Sequence, residues 1–196
     1  MIPGNYNSSN PMHTIAHQCS TPIVTNAREI SILMNMNERE IRLTYRVYSD
    51  KKELSSDDQA LIDVAAQATA MAYAPYSRFK VGAAIRTTDH VVTLGSNQEN
   101  GAFPIGQCAE RVALYNMVHA HGRLPIEAMA IAVDHPDQLV PASPCGSCRQ
   151  ILNEYRSFQE PPIRLLLTLA KGGEVYEIMD VKDILPFAFD GLFLGQ

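Results

Sequence analysis

Two cysteines in the second half of this chain form a C-x-x-C pair. Cys145 and Cys148 are separated by a glycine and a serine, and a proline precedes the pair. Taken alone, this pair fits a redox dithiol, half of a structural zinc site or two inert thiols. The pair therefore needs further residues before it indicates any one chemistry.

A third cysteine, Cys108, lies in a second segment, with 36 residues between it and Cys145. Three thiolates that leave one position open describe a catalytic zinc site, whereas a structural zinc site has four protein ligands. Cys108, Cys145 and Cys148 all fall near the start of a predicted helix, where unpaired backbone N–H groups favour thiolates. We therefore predict one zinc ion per chain. Cys19 lies in an N-terminal stretch without apolar periodicity, and we interpret it as an incidental free thiol.

Two charged residues follow Cys108 closely. Glu110 lies two residues after it and need not bind the metal, so its carboxylate could move protons. A glutamate at a helix N-terminus often interacts only with the helix dipole, but the neighbouring cysteines favour a catalytic role. Three thiolates on Zn²⁺ leave a net negative charge, which the adjacent Arg111 could offset by contacting the sulfurs.

Predicted helices and strands before and after the cysteine segments must hold those segments in place. Ser55 and Asp58 form an S-x-x-D capping box, and apolar residues then recur at helical spacing until Pro75. Apolar and polar residues alternate over 41–47, which predicts an extra strand before that helix. Two further helices begin near Cys108 and Cys145. The first would carry Val112, Tyr115 and His119 on one face, and the second Cys148, Ile151, Leu152 and Tyr155.

Five short apolar runs predict the main strands: 81–85, 91–94, 129–133, 164–169 and 175–179. Because these strands alternate with helices, we predict an α/β fold, a three-layer α/β/α sandwich with a mixed five-stranded sheet plus the N-terminal strand. We expect a disordered or loosely packed leader at 1–27, the extra strand region at 28–53 and the main domain at 54–196.

Composition excludes several classes of function. The chain has 196 residues with 16 Lys and Arg against 21 Asp and Glu, a net charge of -5, so it has no basic surplus for a nucleic acid polymer. No apolar stretch is long enough for a membrane helix, and the first residues lack the basic start and apolar run of a secretory signal. We therefore expect a cytoplasmic protein without a membrane or polynucleotide partner.

Five segments resemble the cytidine deaminases, specifically the small homotetrameric zinc enzymes that act on the free nucleoside. The resemblance runs from about residue 54 to 189, and its carriers appear in the family's order. The carriers are Ala72-Tyr73-Ala74-Pro75-Tyr76-Ser77, Phe79-Lys80-Val81-Gly82-Ala83-Ala84, Asn97-Gln98-Glu99-Asn100, Cys108-Ala109-Glu110-Arg111 and Ser143-Pro144-Cys145-Gly146-Ser147-Cys148-Arg149-Gln150.

The resemblance implies a role for each matching position. Cys108, Cys145 and Cys148 would hold zinc, while Glu110 would move protons from the attacking water to the pyrimidine and to the departing amine. The substrate-binding residues implied in this way are Phe79 against the pyrimidine, the N–H of Ala109 at the base carbonyl, and Asn97 with Glu99 at the ribose hydroxyls.

The same resemblance implies a homotetramer in which aromatic residues complete a neighbouring subunit's pocket. These residues are Tyr76, Phe103 and Phe189, and Phe103 stands where the family often has tyrosine. The expected reaction is hydrolysis of cytidine and 2′-deoxycytidine to the uridine nucleosides and ammonia, as in pyrimidine salvage. A deaminase of another cytosine-containing nucleoside and a structural or redox C-x-x-C module stay as alternatives.

Overall fold

The computed structural model describes residues 39–194, which form a six-stranded sheet covered by three helices. The strands are β1 (Tyr45–Tyr48), β2 (Lys80–Thr87), β3 (Val92–Ser96), β4 (Ile126–Asp134), β5 (Arg164–Leu169) and β6 (Val175–Ile178). The helices are α1 (Ser56–Ala68), α2 (Ala109–His121) and α3 (Gly146–Ser157), and several short 3₁₀ turns complete the fold.

The sheet has the order β1-β6-β5-β4-β2-β3, and it is mixed, as predicted. β4 and β5 pair in parallel and the other neighbours pair antiparallel. A parallel pair needs a crossover connection, and α3 lies in the segment that joins β4 to β5. A loop over residues 135–145 joins the carboxyl end of β4 to the start of α3.

Successive residues of the central strands supply two different cores, because side chains alternate across a strand. Ile85, Met129 and Leu165 pack with α2 and α3, whereas Ala84 and Leu166 pack with α1 on the opposite face. This division confirms the three-layer α/β/α arrangement.

Glycine lets two helices approach the sheet closely. A Cβ atom on Gly82 in β2 would lie 2.1 Å from the carbonyl oxygen of Ala65 in α1. A Cβ on Gly95 in β3 would lie 2.3 Å from the backbone nitrogen of Ala113 in α2. Both contacts are too short for any side chain, so these glycines set the distance between sheet and helix.

The buried face of α2 differs from the predicted one. Ala113, Leu114 and Met117 are fully buried, whereas Tyr115 of the predicted face is 51% exposed. The face with Ala113 packs inward because Gly95 leaves room for the backbone of α2 against β3. The predicted inward face of α3 is confirmed. Cys148 and Leu152 are buried, and the partly buried side chains of Ile151 and Tyr155 pack against the same core.

The N-terminal strand is confirmed as β1, which pairs antiparallel with β6. It begins at Tyr45, four residues later than the predicted strand over 41–47. The predicted leader at 1–27 lies outside the described residues. No helix within residues 39–194 is long and apolar enough to cross a membrane.

Ser55 caps α1 by accepting a hydrogen bond from the backbone N–H of Asp58 (3.2 Å), as the sequence predicts. The Asp58 carboxylate, however, faces the sheet and binds Arg86 (2.7 Å) and Arg164 (3.0 Å). These three residues, with Glu127 and Glu177, form a cluster of paired charges that we call the ionic network.

Candidate zinc and nucleoside site

Three cysteines meet because two helices begin at the same place. Cys108 is the N-cap of α2, Cys145 is the N-cap of α3, and Cys148 lies in the first turn of α3. Neither N-cap side chain forms a capping hydrogen bond. Both sulfurs thus lie among the unpaired N–H groups of a helix N-terminus, which stabilise thiolates.

The sulfur geometry fits one tetrahedral zinc ion. The Sγ atoms of Cys108 and Cys145 are 3.7 Å apart, and those of Cys145 and Cys148 are 3.5 Å apart. Zinc–sulfur bonds of about 2.3 Å at tetrahedral angles place sulfurs about 3.8 Å apart. Among the residues that the structure describes, this cluster contains three protein ligands and no fourth. The donor set is therefore that of a catalytic site with one open position.

Electrostatics favours a thiolate at Cys108. The hydrogen bond from the Cys148 thiol, together with the Arg111 guanidinium, lowers the pKa of Cys108 to about 5. The same hydrogen bond, aided by burial, raises the pKa of Cys148. The cluster can thus carry a thiolate at neutral pH, the ligand form that zinc requires.

Arg111 is the cationic neighbour of the sulfurs. Its Nη2 donates to the carbonyl oxygen of Gly106 (3.1 Å) and lies 3.8 Å from the Cys108 sulfur. Its Nε is buried and has no acceptor among residues 39–194. A buried N–H beside thiolates suits a site whose sulfurs carry excess negative charge, so this arrangement also fits zinc.

Glu110 is buried beside the cluster, with only 5% of its surface exposed. Burial raises the pKa of its carboxyl group, and the charge on Cys108 acts in the same direction. A raised pKa makes a carboxylate a better proton acceptor than an ordinary glutamate, which suits a general base. Glu110 is therefore equipped for proton transfer and is not a member of the sulfur cluster.

A cavity of about 730 Å³ opens directly onto these residues, which is in the range of small-molecule sites. Its lining includes most of the predicted site residues: Tyr76, Phe79, Asn97, Glu99, Phe103, Cys108, Ala109, Glu110 and Cys145. Val81, Ile131 and Val133 supply an apolar wall. Polar groups thus converge on a largely apolar cavity beside the candidate metal centre.

Asn97 and Glu99 hold the backbone of the cavity wall. The amide of Asn97 accepts from the N–H of Val81 (2.8 Å) and donates to the carbonyl oxygen of Phe79 (2.9 Å). The Glu99 carboxylate accepts from the N–H of Tyr76 (2.9 Å) and from the hydroxyl of Ser77. These hydrogen bonds lower the pKa of Glu99, that from Ser77 most. Glu99 is therefore a charged acceptor at the cavity.

Two polar residues of the site were not predicted from the sequence. Ser77 donates to Glu99 and accepts from the N–H of Phe79 (3.0 Å), so it joins two candidate substrate-binding residues. Arg149 donates to the carbonyl oxygen of Pro144 (2.8 Å) and to the hydroxyl of Ser143 (3.0 Å), which fixes the loop before Cys145. Both lie inside segments that carry the resemblance, but only the fold shows their contacts.

Aromatic side chains are exposed at the cavity mouth. Tyr76 and Phe103 meet edge to face with ring centroids 5.7 Å apart, and Phe103 is 74% exposed. Phe189 does not line the cavity of its own chain, and its carbonyl oxygen accepts from Gln150 (2.7 Å). The predicted contact of these aromatic residues with a neighbouring subunit stays a prediction.

The family model for the cytidine and deoxycytidylate deaminase zinc-binding region matches residues 55–160. These residues contain the three cysteines, Glu110 and the segments that line the cavity.

Individual cytidine deaminases are also similar to this chain in sequence and in structure. A cytidine deaminase of Halalkalibacterium halodurans is 40% identical over 134 residues, which are 68% of this chain and 94% of that protein. A cytidine deaminase of Sporosarcina psychrophila is 38% identical over 133 residues, or 68% of this chain and 91% of that protein. The crystal structure of a cytidine deaminase from Burkholderia pseudomallei matches with a TM-score of 0.58 and 39% identity, covering 66% of this chain and 97% of that one.

Proposed function

Because this chain belongs to the cytidine and deoxycytidylate deaminase family, we propose that it is a zinc-dependent enzyme that hydrolyses cytidine and 2′-deoxycytidine. Water replaces the exocyclic amine at C4, so the products are uridine or 2′-deoxyuridine and ammonia. The observation that carries this conclusion is that the sulfur cluster and the buried Glu110 border one nucleoside-sized cavity.

Cys108, Cys145 and Cys148 would hold the zinc ion through their thiolate sulfurs. When bound, zinc supplies a Lewis acid that brings the pKa of water towards neutrality. Arg111 offsets the negative charge of the three thiolates, and Arg149 keeps the Cys145 loop in place.

Glu110 carries the protons of the reaction. Its carboxylate takes a proton from the attacking water, and the resulting carboxylic acid delivers it to N3 of the pyrimidine. After water has added to C4, the same group helps to protonate the departing amine. Burial supports this role, because it raises the pKa of Glu110 and so makes the carboxylate a stronger base than an exposed glutamate.

The cavity wall would bind the nucleoside. The N–H of Ala109 belongs to the first turn of α2, where it has no intrahelical acceptor, so it can donate to the base carbonyl. Glu99 would accept from ribose hydroxyls, and Asn97 both orients the wall and offers its remaining amide hydrogen-bonding capacity to the sugar. The Phe79 ring would pack against the pyrimidine.

We also propose that four chains assemble around these sites in the cytoplasm and that the reaction serves pyrimidine salvage. The exposed Tyr76 and Phe103 at the cavity mouth support assembly, because exposed aromatic residues at a site opening are typical of interfaces. In this proposal residues 54–196 form the catalytic domain, residues 28–53 add the edge strand, and Phe189 approaches a neighbouring pocket. Sedimentation of the purified protein measures the number of chains.

A substrate panel tests the function directly. The zinc-loaded protein is assayed for ammonia release with cytidine, 2′-deoxycytidine, free cytosine and a single-stranded oligonucleotide of deoxycytidine. We expect one ammonia per nucleoside converted and no conversion of the oligonucleotide, since the chain lacks a basic surplus. Absence of ammonia from both nucleosides, or release from the oligonucleotide alone, would overturn the proposal.

A further inference from the structure

His135 contacts a wall residue of the cavity from outside the cavity. Its imidazole stacks against the ring of Phe79 with centroids 5.5 Å apart and an interplanar angle of 37°. Phe79 lines the cavity, whereas His135 does not. His135 can therefore act on a ligand in the cavity through the Phe79 ring.

The sheet register brings these two residues together although they are far apart in the sequence. β2 and β4 pair antiparallel, and their outermost pair is Lys80 with Asp134. Phe79 and His135 are the next residues on each side, so they face each other just beyond the strand ends.

Hydrogen bonds hold both His135 and Phe79 in place. The backbone N–H of Asp137 donates to Nδ1 of His135 (3.3 Å), which sets the plane of the imidazole. The backbone of Phe79 donates to Ser77 (3.0 Å) and accepts from Asn97 (2.9 Å). The hydrogen bonds fix the backbone of Phe79 but not its ring angle, whereas His135 contacts the ring itself.

We propose that His135 is a positioning residue that presents the Phe79 ring at the angle needed to pack on the substrate's pyrimidine. This inference rests on the proposed function, since it takes a pyrimidine nucleoside as the ligand. Ring packing acts on the bound substrate and on the transition state alike, so its loss raises KM and leaves kcat unchanged.

The test compares steady-state kinetics of three variants with those of the wild-type enzyme. His135→Ala removes the stack, and we expect KM for cytidine to rise about three- to tenfold, the range for one aromatic pair, with kcat within twofold. His135→Phe keeps a flat ring and restores KM to within twofold of the wild-type value. His121→Ala, at the exposed end of α2, is the matched control and leaves both constants unchanged.

A double-variant cycle asks whether His135 acts through Phe79. If it does, adding His135→Ala to Phe79→Leu raises KM no further. Equal KM increases in both backgrounds, a fall in kcat without a change in KM, or failure of His135→Phe to restore KM would each overturn the inference. Ammonia release by the wild-type enzyme tests the proposed function separately. If the wild-type enzyme deaminates cytidine, an unfavourable result with the His135 variants overturns only the role of His135.

Discussion

Two acidic side chains, Glu110 and Asp58, occupy matching positions on opposite faces of the sheet. Each lies in the first turn of a helix, Glu110 in α2 and Asp58 in α1. Each is only 5% exposed. By helix position and by burial the two residues are alike.

Their partners make them chemically different. Burial would raise the pKa of Asp58, but hydrogen bonds from Arg164 and Arg86 outweigh burial and lower it. Glu110 has no such pair of arginines, and its pKa is raised. Asp58 is thus an anion at neutral pH that ties α1 to the sheet, whereas the Glu110 carboxylate binds a proton more readily.

Burial alone therefore does not identify a catalytic carboxylate. A buried acid with paired cations is bound into the structure, and a buried acid beside a metal centre is available for proton transfer. We therefore expect substitution of Glu110 to lower activity and substitution of Asp58 to lower stability.

The largest expected effect is on turnover in Glu110→Gln. This variant keeps the shape of the side chain but cannot carry a proton, so kcat for cytidine should fall about 10²- to 10⁴-fold. Zinc content should stay at one ion per chain, because Glu110 is not a member of the sulfur cluster. Turnover within tenfold of the wild-type value, or loss of zinc, would show that the role is wrong.

Asp58→Asn should give the reverse pattern. The asparagine would carry no charge, so Arg86 and Arg164 would lose the buried carboxylate that they share and keep only the two glutamates of the ionic network. The free energy of unfolding should fall by about 3 kcal/mol, the lower end of the range for a broken buried ion pair. The folded protein should keep kcat within twofold of the wild-type value. Urea unfolding measures the stability, and steady-state kinetics measure kcat. A kcat loss as large as that of Glu110→Gln would show that Asp58 and Glu110 do not differ in role.

Acid should reproduce part of the Asp58→Asn effect in the wild-type protein. The folded pKa of Asp58 is lowered, so its contribution to stability is complete above its ordinary pKa and is lost as pH falls through the folded pKa. We therefore expect stability to fall progressively below about pH 5. Asp58→Asn should show a shallower decline over the same range, and parallel pH profiles of the two proteins would contradict the assignment.

The smallest effect concerns the edge of the ionic network. The Tyr48 hydroxyl of β1 donates to Glu177 (2.8 Å), and this bond raises the pKa of Tyr48. Tyr48→Phe should cost about 1 kcal/mol of stability without changing kcat. The matched control is Tyr115→Phe, at a side chain that is 51% exposed, and it should cost less than about 0.5 kcal/mol. Equal costs would mean that the hydrogen bond from Tyr48 to Glu177 does not stabilise the fold.

The sequence was informative where chemistry depends on short spacings. The three cysteines and Glu110 lie in two compact motifs, so their meeting at two helix starts could be predicted. The strands were also predictable from apolar runs, with boundaries shifted by a few residues. The role of Asp58 could not be predicted, because Arg164 follows it by 106 residues and meets it only through the sheet register.

Two other features depend on the same kind of information. The stack of His135 on Phe79 follows from the pairing of β2 with β4, which no local pattern gives. The inward face of α2 combines Ala113 with a leucine and a methionine, and alanine is common on either face of a helix, so periodicity favoured the face of Tyr115 instead. The absence of a side chain at Gly95 lets the backbone of α2 pack against β3, which determines the inward face. This close contact is visible only in the fold.

The central claim is that three sulfurs from two segments bind one zinc ion and leave a position for chemistry. X-ray absorption at the zinc edge of the purified holoprotein counts the sulfur ligands around the metal. We predict one zinc per chain with three sulfurs at about 2.3 Å. A count of four sulfurs, or of fewer than three, would contradict the account.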